Sequence, residues 1–236
     1  MYNGPVAMVY SRDDGKLKEF LRRENVLDWE NKISFMGIRK KDDEPTIMDR
    51  CDELNGVAGQ TPGARLCLES YHYIIFDDLN EAAYEYDELP AGLALGELKP
   101  RHAKQLAKHE KYGVGPDFKN NEKFFQYLLS NGFPSVALLD KDDYPVAHMI
   151  QRPENSLGAG YVHPDYRSQG LYKVVMIELI KKIRDNDEKH CWANVAVDNE
   201  HSTNALRKLG GHVYEGELFT TFEYHPKELA PEAMKS

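Results

Sequence analysis

Cysteine is scarce in this chain: Cys51, Cys67 and Cys191 are widely spaced among 236 residues, with no C-x-x-C pair. An odd, scattered set cannot build a disulfide framework or a thiolate metal site, which need more ligands at regular spacing. Reduced thiols and no metal site are expected. Long apolar runs are missing too, since nothing approaches the roughly 18 residues of a membrane span. Arg12, Asp13 and Asp14 stand where a secretory signal would be apolar, and a transit peptide would lack such acids. Basic residues are outnumbered, 30 against 39 acidic, for a net charge of −9. Without a broad basic field, general binding to nucleic acid or to an anionic membrane is excluded. A soluble, cytoplasmic protein with small-molecule partners is the expectation.

What is present is enough apolar material for a core, 41% of residues, in a chain long enough for one large α/β domain or two small ones sharing a sheet. Residues 1–90 read weakly: strand-like runs at 6–10, 33–38 and 71–76, helix-like segments at 16–23 and 46–54, and a Gly-rich loop at 55–63. The patterns sharpen after Leu89-Pro90, which divides the chain into 1–90 and 91–236. Pro100 opens a helix to residue 112 with Ala103, Leu106 and Ala107 inward. A second helix, 120–131, turns Phe124, Phe125 and Leu128 inward, and Gly132 sits where a left-handed cap is wanted. Runs at 135–139, 145–150 and 157–162, joined by polar turns, predict three antiparallel strands. Met176, Leu179, Ile180 and Ile183 mark an amphipathic helix that exposes Glu178, Lys181 and Lys182. A strand at 192–197 completes a parallel strand–helix–strand crossover. A helix from Asp198-Asn199 follows, burying Ser202, Ala205, Leu206 and Leu209 and ending at Gly210-Gly211, before a last strand at 218–224.

The most informative stretch is 161–173, where an apolar strand (Tyr161, Val162) enters a polar loop and the loop opens the amphipathic helix. That order aims free backbone N–H groups and a helix N-terminus at one point, a place for a phosphorylated ligand. The candidates are Arg167, Ser168, Gln169, Gly170, Leu171, Tyr172 and Lys173. Lys181, Lys182 and Arg184 add local positive charge to an acidic chain.

Arg167-x-x-Gly170-x-Tyr172, followed by Asn199-x-x-Ser202 and Leu206-Arg-Lys-Leu-Gly210, resembles the Gcn5-related N-acetyltransferase (GNAT) superfamily. Residues 89–211, with His102-Ala103, Lys111-Tyr-Gly113, Pro145-Val146 and Pro164-Asp-Tyr-Arg167, are most similar to its glycine N-acyltransferase-like branch. The resemblance implies an α/β fold with a mixed, mostly antiparallel central sheet flanked by helices. It also implies a shorter, divergent N-terminal half, a degenerate second copy of the fold.

The activity it implies is transfer from acyl-CoA or acetyl-CoA to a small amine or amino acid. Tyr161, Val162, the loop, Asn199 and Ser202 would bind the CoA. Two alternatives stand beside it: a protein N-acetyltransferase and a non-catalytic acyl-CoA-binding module. The chain departs from the pattern at three places. Tyr172 replaces a tiny residue, Leu206 a tyrosine acid, and Ser156 a glutamate base. Glu154 and His148 are the candidate bases, each with a plain reading as a turn residue or a sheet histidine; His163 flanks the same region. Mitochondrial residence is usual in the resembling branch.

Overall fold

The computed structural model describes residues 6–9, 11–59, 70–79, 85–86, 88–110, 118–230 and 232, with backbone alone at 6 and 118–120. Tyr10, the loop residues 60–63, the helix end at 111–112 and Cys67 lie outside the described residues. In chain order the elements are β1 (Val6–Ala7), α1 (Asp14–Arg22), β2 (Ile33–Arg39), α2 (Asp43–Glu53), β3 (Val57–Gly59), β4 (Tyr71–Phe76) and β5 (Ala94–Gly96). A short 3-10 turn, Pro100–His102, leads to α3 (Ala103–His109) and α4 (Phe118–Ser130). There follow β6 (Ser135–Leu139), β7 (Pro145–Gln151), β8 (Leu157–Val162), α5 (Leu171–Asp185), β9 (Cys191–Ala196), α6 (Glu200–Arg207), β10 (His212–Val213) and β11 (Phe219–His225). Mixed, mostly antiparallel sheet flanked by helices is the architecture expected of the sequence.

The chain divides into two compact units, one of residues 1–72, 112–117 and 215–236, the other of 73–111 and 118–214. The first therefore includes β11, although its residues lie beyond the line drawn at 90 in the sequence. In this unit β2 pairs in parallel with β1 and antiparallel with β11, and β3 pairs with β11. α1 starts where Asp13 accepts a hydrogen bond from the Lys16 N–H at 3.1 Å, a side-chain cap for an otherwise orphaned donor. Its buried residues Leu17 and Leu21 join Ile33, Phe35, Ile47, Phe222 and Tyr224 in one core.

In the second unit β5, β6, β7 and β8 form an antiparallel sheet in that order. The polar link between β6 and β7 closes as a hairpin because Asp140 Oδ1 accepts from the Asp142 and Tyr144 N–H groups, both at 2.9 Å, while Asp143 takes φ +62°. α4 stops where Gly132 turns left-handed at φ +73°. Met176, Leu179, Ile180 and Ile183 of α5 are all buried, in a cluster with Val136, Leu138, Val146 and Met149 of the sheet. Each such side chain contributes roughly 1.5–3 kcal/mol on leaving water, so α5 is fixed to the sheet that ends in β8.

The buried face expected of α6 is narrower in the structure. Ser202 and Ala205 are half-buried, and only Leu206 and Leu209 of that set reach the core. β5 adds a strand that three residues could not announce. The strand beginning at Cys191 pairs with β4, so a run from the weakly patterned part of the chain supports the crossover.

Candidate functional site: a strand fork and an amide turn

β8 and β9 run parallel and touch at one bridge, Ser156 to Trp192, the only pairing between them among the described residues. Beyond it β8 stays with β7 and β9 with β4, so the two strands part toward their C-terminal ends. β8 also carries a bulge: its partners on β7 run from Ile150↔Gly158 to His148↔Tyr161, leaving Ala159 and Gly160 opposite the single Met149. Ala159 adopts φ +51°, a left-handed conformation costly for a residue with a Cβ. Gly160 is exposed. A bulge interrupts the ladder locally and bends the strand that carries it.

The chain leaves β8 at His163, whose Nδ1 accepts from the Asp165 N–H at 3.3 Å, and makes one 3-10 turn over Pro164–Tyr166. Ser168 at φ +61° and Gly170 at φ +75° then bend it into α5. Val174 N–H is the first to reach back into the helix, bonding Gly170 O at 3.3 Å. Among the described residues, the backbone N–H groups of Ser168 through Lys173 have no backbone acceptor, as the first turn of a helix requires. A Cβ built on Gly170 would meet nothing within 4 Å, so the space in front of the turn is open and it is the φ that calls for glycine. Arg167 Nε donates to Val162 O at 3.2 Å, and both Arg167 and Lys173 are exposed beside the turn.

Not every predicted site residue arrives there as a side chain. Leu171 is buried in the core, so only its N–H faces the turn. Asn199 caps α6 by accepting from the Ser202 N–H at 3.2 Å. Tyr161 points to the other face of the sheet, its ring stacked on His109 with centroids 3.8 Å apart. Lys181, Lys182 and Arg184 are not at the turn at all. They sit roughly 15–20 Å along α5 from its first residue, paired with Glu178, Glu97 and Asp185.

Tyr172 lies across the fork. A Cβ on Gly160 of β8 would fall 2.8 Å from its Cε2 and 3.0 Å from its Oη, and the hydroxyl shares a hydrogen bond with Ser202 of α6. Burial raises the phenol's pKa, with the hydrogen bond to Ser202 acting the other way, so the phenol is neutral at physiological pH.

The candidate bases occupy two separate places. Glu154 Oε1 accepts from Ser156 Oγ at 2.8 Å, at the closed end of the fork. His148 is buried opposite Tyr161, roughly 16 Å of extended strand further on. Its Nε2 lies 3.5 Å from His109 Nδ1, and the two rings stack at 5.8 Å. Burial above all lowers both, His148 to about 3 with the charge of His109 next, and His109 to about 4 with those of His163 and Lys108 next. Both are neutral at pH 7. His109 was missed in the sequence, although it follows Leu106 by one helical interval on the inward face of α3. Among the described residues, no group of three His, Cys, Asp or Glu side chains could hold a metal ion.

Residues 140–220 match the FR47-like protein family. No curated protein sequence matches the chain. Among solved structures, a Drosophila protein is similar with a TM-score of 0.72 at 14% identity, over 94% of this chain and 71% of its own. A Gcn5-related N-acetyltransferase from Sphaerobacter thermophilus follows at TM-score 0.53 and 13% identity, over 85% of this chain and 62% of its own; the chain thus spans less than two thirds of that protein. A tandem GNAT protein from the clavulanic acid biosynthesis pathway gives TM-score 0.53 and 12% identity, over 98% of this chain and 77% of its own. The fork, the bulged strand and the amide turn thus sit in a fold that this chain shares with these Gcn5-related N-acetyltransferase structures.

Proposed function

We propose that the protein is an acyl-CoA-dependent N-acyltransferase that transfers an acyl group from a CoA thioester to the amine of glycine, another amino acid or a similar small molecule. The observation that carries this reading is the junction of an open strand fork with a turn of free N–H groups from Ser168 to Lys173. Such a turn suits a diphosphate, because converging N–H dipoles and a helix N-terminus favour negative charge. A thioester arm with amide groups suits the edges of the fork. On β9, Asn194 Oδ1 is buried with no hydrogen-bond partner among the described residues, an acceptor waiting for an N–H. Acetyl-CoA or a longer acyl-CoA fits these residues as co-substrate.

In this reading the protein's own contribution is positioning, which converts an encounter of two reactants into an effectively unimolecular step. The N–H groups at the Ala159–Gly160 bulge stabilise charge developing on the carbonyl oxygen. An ammonium acceptor must lose a proton before attack. Glu154, through Ser156, receives it at the closed end of the fork; His148 with His109 is the other acceptor, on the α3 face. Leu206 lies in the core and gives no acid to the leaving thiolate.

The small-amine acceptor rests on the resemblance of residues 89–211 to the glycine N-acyltransferase-like branch. The alignment of a tandem GNAT protein with 98% of the chain supports reading residues 1–90 as a degenerate second copy of the fold. One observation favours a second reading, a binding module without turnover: Tyr172 spans the fork. A thiol-release assay with a panel of acyl-CoAs against amino acids, small amines and peptide N-termini decides among them. Free CoA formed only with both an acyl-CoA and a small amine supports the proposal. Release with peptides alone makes the protein a protein N-acetyltransferase, and binding without release makes it the module.

A further inference from the structure

Ring and fork compete for the same space if the thioester arm binds as just described, and the inference here rests on that reading. Tyr172 stands in the first turn of α5, beside the N–H groups of the turn. Its ring lies against bare backbone at Gly160, the residue where the bulge leaves β8 without a side chain and open to solvent. Its hydroxyl is tied to Ser202 in the first turn of α6, the helix that follows β9. One side chain thus links β8 to the helix that follows β9. Below it the ring packs on the core beside Met149, and the residue as a whole is half-buried.

We propose that Tyr172 and Ser202 form a latch across the fork: the phenol closes the path of the thioester arm, and binding requires it to leave Ser202 and swing off Gly160. A closed state that must open first reduces apparent affinity by the fraction of molecules that are open. Releasing the latch therefore strengthens binding even though it removes contacts. Three full-length variants separate ring from anchor. Tyr172→Ala removes both, Tyr172→Phe keeps the ring and loses the tie, and Ser202→Ala loses the tie from the other side. The loss of one hydrogen bond of ordinary strength corresponds to a factor of about three to tenfold.

Calorimetric titration with CoA and with acetyl-CoA, alongside thermal melts, tests this. Tyr172→Ala should bind at least about tenfold more tightly than wild type, with Tyr172→Phe and Ser202→Ala each about three- to tenfold tighter. Should Tyr172→Ala fail to fold, the two milder variants decide alone. Wild-type affinity in all folded variants, or weaker binding in any, overturns the latch and leaves the carrier site standing. No binding by wild type or any variant at millimolar CoA overturns the carrier site and the latch together.

Discussion

Ser156 is at once the residue that bridges β8 to Trp192 and the donor of a 2.8 Å hydrogen bond to Glu154 Oε1. A carboxylate is thereby held at the root of the fork by a hydroxyl that can pass a proton. Glu154→Gln keeps the shape and removes the basicity. The expected result is a fall in kcat of about 10²-fold or more with little change in KM for the thioester, together with loss of the acid limb of the pH–rate profile. An unchanged kcat and profile would transfer the role of base to the His148–His109 pair.

That pair carries its own pH signature. The folded values, about 3 for His148 and about 4 for His109, lie below the roughly 6.5 of an unfolded histidine. Between those limits the unfolded chain binds more protons, so acidification favours unfolding. Stability should be level above about pH 6.5 and fall as pH drops toward 3, by up to about 1.4 kcal/mol per pH unit for each histidine. His148→Gln should flatten this slope in urea melts taken at pH 7, 6, 5 and 4. A variant with the same slope as wild type would show that the buried imidazole is not its source.

Asp43 is fully buried and takes two hydrogen bonds from Arg39, both at 2.7 Å, with Asp42 and Glu217 close to the same guanidinium. Breaking such a pair from one side leaves an uncompensated buried charge. Asp43→Asn should therefore cost about 3–5 kcal/mol, read as a lower urea midpoint at constant m-value. A cost below about 1 kcal/mol would mean that the arginine finds enough in its other partners.

How much of this was legible in the sequence varies with the range of the interaction that decides it. α5 could be read because Met176, Leu179, Ile180 and Ile183 repeat at the helical interval, and that interval is all the core needs from it. The turn could be read because Gly170 opens a helix directly after a strand. β4 was visible as an apolar run, yet its role beside β9 and β10 was not, since pairing between strands more than a hundred residues apart leaves no local trace. Lys181, Lys182 and Arg184 misled for the opposite reason: near the loop in sequence, they are carried away from it by the rise of the helix. Tyr172 announced itself as a large ring in a place for a small one, but its landing on Gly160 and Ser202 depends on how a bulge in β8 faces a helix cap, and neither shows in a linear pattern.

In the proposed function the turn from Arg167 to Lys173 holds the diphosphate of a thioester carrier, and a substitution at Gly170 probes that contact. Gly170→Asp adds a side chain and a negative charge to the open space before the free N–H groups. Gly132→Asp, at the left-handed end of α4 and also with open space around it, imposes the same backbone strain, about 1–2 kcal/mol, without touching the turn. Calorimetry with acetyl-CoA at matched protein concentration should show binding by wild type and Gly132→Asp and none by Gly170→Asp, with both variants melting at similar temperatures. Undiminished affinity in Gly170→Asp would contradict the account.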